Sequence, residues 1–232
     1  MMTRIKFCGI TRREDVIMAA DVGAGAIGLQ FWKQSPRAIA PEEARALVRM
    51  MPPFLAMIGV FVDQPLDEIR EIVKFVGLTA VQLHGRETPA DAAALDGHAG
   101  HVIKAIGEPD QELMTQAATW PEPTVLLVDA IDPQLRGGTG RRADWPAAAA
   151  LARTRRVILA GGLRPDNVGE AVRQVRPYAV DVASGVEVRP GIKDHARMRA
   201  FAEAVRAVDI IQAGTVPVGA GQVGTGQAGT TS

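Results

Sequence analysis

The chain has 232 residues, 47% hydrophobic and 22% charged, the length of one large domain or two small ones with enough apolar content to bury a full core. Lys+Arg and Asp+Glu are balanced at 26 each, so there is no basic footprint for nucleic acid or an anionic membrane. One cysteine excludes an intrachain disulfide, no stretch approaches the ~20 apolar residues of a membrane span, and no signal-peptide pattern opens the chain; the expectation is a cytoplasmic protein with no nucleic-acid or membrane partner.

In chain order, Arg4-Ile5-Lys6-Phe7-Cys8 is a short apolar run ending on the single cysteine. Gly9 follows, and Thr11-Arg12-Arg13-Glu14 has the Ser/Thr-x-x-Glu form of a capping box. Cys8 therefore stands where a strand gives way to a helix, the place where α/β proteins put chemistry. A lone cysteine is commonly a small buried hydrophobe; its position is what makes this one a candidate. Further strands are predicted at 26–30, 55–62, 79–83, 101–106, 124–129, 156–160 and 179–183. Runs such as Val125-Leu126-Leu127-Val128 lack strict alternation, as parallel strands covered on both faces do. Helix starts are signalled by Pro41 and Pro65 at first helical positions, by Thr88-Pro89-Ala90-Asp91, and by Asp194 ahead of a last helix over 195–208. The alternation predicts a (β/α)₈ TIM barrel over 1–209, with an open doubly wound sheet as the alternative. Residues 210–232 carry no charge and are rich in Gly and Thr, which predicts a disordered tail.

In a barrel the strand ends share one face. Here they bring Cys8, Gln30, Asp63, His84, Asp129, Gly161-Gly162 and Ser184-Gly185 together. The two glycine turns, Gly161-Gly162 and Ser184-Gly185, suit phosphate, because glycine lets backbone amides approach an anion and barrels place such sites after strands seven and eight. Gly137-Gly138-Thr139-Gly140, in a long basic loop after strand six, reads as a lid or as a plain surface loop. Arg37, after the extended turn of Ser35-Pro36, is placed to fork onto a carboxylate or simply to be solvated. Strand parity adds one geometric expectation. Lys6 shares a face with Cys8, one layer deeper, and would need a partner there; Asp181, inside Ala179-Val180-Asp181-Val182, would meet it across the seam where strand one closes on strand eight.

Lys6-Phe7-Cys8-Gly9-Ile10-Thr11 resembles the opening signature of the phosphoribosylanthranilate isomerase family of tryptophan biosynthesis. Ser35-Pro36-Arg37, Val81-Gln82-Leu83-His84-Gly85, Leu127-Val128-Asp129-Ala130, Gly137-Gly138-Thr139-Gly140 with Asp144-Trp145, Ala160-Gly161-Gly162-Leu163 with Asn167, and Asp181-Val182-Ala183-Ser184-Gly185-Val186-Glu187 with Gly191-Ile192-Lys193-Asp194 follow in the family's order, over about 4–208. The resemblance implies a TIM barrel and a cofactor-free, metal-free aldose–ketose isomerase acting on a small phosphosugar, as monomer or homodimer. Its reaction would be an Amadori rearrangement of N-(5-phosphoribosyl)anthranilate, the third step from chorismate to tryptophan. It further implies Cys8 as general base, Asp129 as general acid and Arg37 as the anthranilate-carboxylate ligand. Ala183 stands where many relatives have serine, which removes one possible phosphate hydroxyl. An acid at Asp129 needs its pKa raised, which an apolar strand end favours; Asp132 is a rival acid, further out in the loop. Two other functions stay open: a ring-closing synthase on a related anthranilate sugar, which would use Lys104 as acid, and a phosphosugar-binding module that needs neither Cys8 nor Asp129.

Overall fold

The computed structural model describes residues 2–107, 112–122, 124–129 and 143–214. Eight parallel strands, β1 (Arg4–Cys8), β2 (Ala26–Gln30), β3 (Ala56–Phe61), β4 (Ala80–Leu83), β5 (Val102–Ile106), β6 (Val125–Val128), β7 (Val157–Leu159) and β8 (Ala179–Val182), pair in sequence order, and β1 closes on β8. The expected TIM barrel is thus the observed fold and the open sheet is excluded. Helices α1 (Arg13–Asp21), α2 (Pro41–Val48), α3 (Leu66–Val76), α4 (Pro89–Ala94), α5 (Leu113–Ala118), α6 (Trp145–Ala152), α7 (Val168–Val175) and α8 (His195–Gly214) surround it.

Two apolar layers account for the strands' lack of alternation. Outward residues such as Phe7, Leu29, Leu83, Leu126 and Val180 pack under the helices. Inward residues, among them Ile58, Ala80, Ile103, Ala105, Leu127 and Ile158, fill the barrel interior. That parity puts Lys104 on the outer face of β5, where Nζ donates to the Gly85 carbonyl (2.5 Å) and pairs with Glu87 (2.8 Å).

Local starts follow the sequence with three corrections. The capping box at Thr88 forms: Asp91 N donates to the threonine hydroxyl (3.3 Å) and Thr88 N to the Asp91 carboxylate (2.7 Å). Asp194 caps α8, accepting from Ala196 N (3.0 Å) and Arg197 N (3.1 Å). The box expected at Thr11 does not form. Arg12 is the N-cap of α1 without a side-chain cap, and the Thr11 hydroxyl donates instead to the Gly191 carbonyl (2.5 Å). Pro65 sits at the N-cap of α3, one residue before its first turn. The last helix runs on to Gly214, so 210–214, expected in the tail, are helical; 215–232 lie outside the described residues. An element the sequence did not announce follows β8: a 3₁₀ turn (Ser184–Val186) and a small hairpin of β9 (Glu187–Arg189) and β10 (Ile192–Lys193).

Candidate active site

The carboxyl ends of the strands form one mouth, and β1 supplies its sulfur. Lys6 and Asp181 are register partners across the seam, with Nζ 2.9 Å from Oδ1, as strand parity requires. Their side chains are 2% and 9% exposed, so this is a desolvated pair in the barrel interior. Gly28 of β2 explains how Cys8 joins them. A Cβ there would stand 2.8 Å from Cys8 Sγ and 3.2 Å from Lys6 Nζ, so thiol and ammonium converge over a strand position that has no side chain to part them.

Burial pushes the Cys8 thiol up; Lys6 and Lys193 pull it down and Asp181 adds to the push, leaving it above its ordinary value. Burial alone would lower Lys6, but Asp181 and Cys8 outweigh it and hold the ammonium above its ordinary value.

Across the mouth, Asp129 is buried directly after β6, its amide donating to the Ile106 carbonyl (3.1 Å). The backbone can come this close because Gly107, at φ 131°, has no side chain; a Cβ there would collide with the Asp129 carbonyl oxygen. His84, buried at the end of β4, places Nε2 3.6 Å from Asp129 Oδ2, while its Nδ1 lies 2.8 Å from Gln82 Nε2. Gln30 turns back on its own loop, its Oε1 accepting from Trp32 N (3.2 Å). Asp63 serves the local turn: its carboxylate accepts from Arg86 N (2.5 Å) and its amide donates to Glu87 (2.9 Å).

The two glycine turns come together as expected. Gly161 and Gly162 have φ of 81° and 63°, conformations that need glycine. Asn167 pins them, donating to the Gly162 carbonyl (2.9 Å) and accepting from Arg164 N (2.8 Å). Gly185, beside Ser184, lies so near the Leu163 carbonyl that a Cβ would collide with it, which sets the two turns side by side. Gly137, Gly138, Thr139 and Gly140 of the expected lid, and Asp132, lie outside the described residues.

Arg37 reaches the same mouth, its stem lying over Gly9, but its fork is already made. Nε and Nη2 hold both oxygens of Glu187 (2.9 and 2.8 Å). Sequence reasoning gave Glu187 and Lys193 no role. The signal available was an acid and a base six positions apart after the last strand, both inside matching segments. Lys104, on the outer face, does not enter the mouth. Among the described residues no group of three or more His, Cys, Asp or Glu could hold a metal ion.

A family model for N-(5′-phosphoribosyl)anthranilate (PRA) isomerase matches residues 5–204. An isomerase of that name from Pseudomonas aeruginosa strain UCBPP-PA14 is 47% identical over 206 residues, covering 88% of this chain and 95% of its own length. The Pelobacter propionicus enzyme is 44% identical over 200 residues, 86% and 94%. The crystal structure of the Thermus thermophilus isomerase is similar with a TM-score of 0.81 and 40% identity over 89% of this chain and all of that one (100%). Another isomerase structure, solved in complex with reduced 1-(o-carboxyphenylamino)-1-deoxyribulose 5-phosphate, has a TM-score of 0.79 and 36% identity over 89% and 100%. With a family model spanning nearly the whole barrel and close relatives covered almost end to end, this chain belongs to the N-(5′-phosphoribosyl)anthranilate isomerase family.

Proposed function

We propose that this barrel mouth converts N-(5-phosphoribosyl)anthranilate to 1-(2-carboxyphenylamino)-1-deoxyribulose 5-phosphate, the third step from chorismate to tryptophan, with Cys8 as general base and Asp129 as general acid. The observation that carries the roles is the placement of a thiol beside a buried ammonium at one strand end and a buried carboxyl group at another, in a chain matched by the family model over residues 5–204. Asp129 delivers a proton to the ribose ring oxygen, the C1′–O bond breaks, and the anilino nitrogen lone pair forms an iminium. The iminium acidifies the C2′ hydrogen. The Cys8 thiolate removes it, and the electron pair left behind gives an enolamine that tautomerises to the ketone. C1′ is reduced and C2′ oxidised within one molecule, so the rearrangement needs no external redox partner.

The paired turns at Gly161-Gly162 and Ser184-Gly185 receive the phosphate, at the position where barrels commonly bind it. Arg37 takes the anthranilate carboxylate through Nη1, which makes no hydrogen bond among the described residues and is left over from the fork on Glu187. Gly137 to Gly140 keep their reading as a lid. A small phosphosugar as the partner, a cytoplasmic location and a monomer or homodimer complete the reading. A Thermotoga maritima relative is dimeric and has been solved as monomers. Among the described residues no helix is long and apolar enough to cross a membrane. The ring-closing alternative loses its acid, because Lys104 faces away from the mouth.

The test is turnover of the fluorescent anthranilate adduct by the purified protein. Cys8→Ala and Asp129→Asn are each expected to fold and to lose roughly 10²–10⁴-fold in kcat, the usual contribution of a positioned acid or base. Wild-type turnover in either variant removes that residue from the mechanism. No turnover by the wild-type protein, with phosphosugar binding retained, favours the binding module.

A further inference from the structure

The hairpin after β8 holds a buried network that the acid–base steps do not use. Glu187, 4% exposed at its side chain, accepts at Oε1 from Arg37 Nε (2.9 Å), Lys193 Nζ (2.9 Å) and Gly191 N (3.2 Å), and at Oε2 from Arg37 Nη2 (2.8 Å). Lys193 is 0% exposed at its side chain, and Nζ donates also to the carbonyls of Cys8 (2.5 Å) and Ala183 (3.2 Å). An ammonium has three N–H donors, so all three of Lys193's are engaged. Its backbone is tied as well, N donating to buried Asp15 (3.3 Å) and O accepting from Arg12 Nη2 (3.3 Å).

The carbonyl that Lys193 holds belongs to Cys8 itself, just where β1 leaves the sheet. The carboxylate it holds is the one that orients Arg37. One lysine and one glutamate therefore join the strand end bearing the base to the guanidinium whose stem lies over Gly9 beside it. We propose that Glu187 and Lys193 are positioning residues: Glu187 aims the free edge of Arg37 at an aryl carboxylate, and Lys193 anchors that clamp to the backbone of Cys8. The inference rests on the roles given to Cys8 and Arg37 in the proposed reaction.

The charges acting on Cys8 are Lys6 on its own strand, Asp181 on β8 and Lys193 on β10; Glu187 on β9 and Arg37 in the loop after β2 are linked to it through Lys193. Lys193→Met removes a cation that favours the Cys8 thiolate, and Glu187→Gln removes the carboxylate paired with that cation, so the two changes shift the charge beside Cys8 in opposite senses.

The experiment uses the full chain with Glu187→Gln, Glu187→Asp and Lys193→Met, their folds checked by circular dichroism. Steady-state kinetics give KM and kcat, inorganic phosphate serves as competitive inhibitor, and iodoacetamide alkylation against pH reports the thiol, since Cys8 is the only cysteine. Glu187→Gln is expected to raise KM about tenfold or more with kcat within about threefold, the pattern of lost substrate binding, while the phosphate inhibition constant holds. Glu187→Asp is expected to raise KM less. The alkylation midpoint should rise in Lys193→Met and fall in Glu187→Gln. Unchanged KM in Glu187→Gln, or midpoints that move the same way in both variants, overturns the proposal. Should Glu187→Gln fail to fold, Glu187→Asp decides, and an unchanged KM there overturns it. A wild-type protein that does not turn over the substrate refutes the proposed reaction instead; the alkylation arms need no substrate and still decide the anchoring.

Discussion

Cys8 must be a thiolate to act as base, yet its surroundings hold it, on balance, as a thiol. Burial raises it and the two lysines only partly reverse that. A base whose pKa is raised gains its active form at higher pH, so kcat/KM is expected to climb with pH and its acid limb to lie above the ordinary thiol value of about 8.5. Lys6→Met removes a cation that favours the thiolate, so that limb should move further alkaline in a pH–rate profile; an unmoved limb would leave Lys6 with a packing role alone. At Arg37, Arg37→Lys keeps the charge but loses the planar fork on Glu187. We expect a loss on the order of 1.5–3 kcal/mol in kcat/KM, which steady-state kinetics on the variant would read. Unchanged parameters there would make Arg37 a structural partner of Glu187 only. The Lys6–Asp181 contact was legible in advance, because period-two parity and one acidic residue in an apolar strand leave little choice. The fork of Arg37 on Glu187 was not. It joins residues 150 positions apart through a hairpin too short to carry a pattern of its own.

Among the elements, the eight barrel strands are legible because both faces are buried, which leaves plain apolar runs in the sequence. The hairpin is not, since β9 and β10 span three residues and two, and the middle and end of β9 are exposed. The failed capping box at Thr11 has the same origin: the hydroxyl found an acceptor, Gly191, 180 positions away and on that hairpin. A local motif loses when tertiary structure offers a buried carbonyl. The seam between β1 and β8 is where an element-level prediction falls. Asp181→Asn leaves the Lys6 ammonium without its counter-charge in the interior, and breaking a buried pair from one side costs about 3–5 kcal/mol. Urea unfolding should show that loss, and Lys6→Met with Asp181→Leu should recover most of it. An Asp181→Asn protein of wild-type stability would mean that water or Cys8 compensates Lys6. The pair's contribution has a defined pH range. Because Lys6 is raised above its ordinary value of 10.5 in the folded state, its share is complete below that pH and is lost as pH rises through the higher folded value.

For the molecule as a whole, the residue ahead of β1 meets the last helix. Thr3 donates through N and Oγ1 to the two oxygens of Asp209 near the end of α8, both at 2.8 Å. A chain stopped after Gly214 keeps this contact and is expected to match the full protein in melting temperature and kcat, in line with the tail reading. One stopped after Val208 loses both acceptors and should melt lower; equal melting of the two would show the contact to be idle. The same closure has a consequence for synthesis. Lys6 and its counter-charge are 175 residues apart, and a ribosome adds about 5–20 residues per second. The nascent chain therefore carries an uncompensated lysine on its first strand for roughly 9–35 s. Until β8 emerges, β1 has β2 as its one sheet partner and its lysine has no counter-charge to offset burial, so the strand that bears the sulfur gains its second neighbour and its ion pair in the same step.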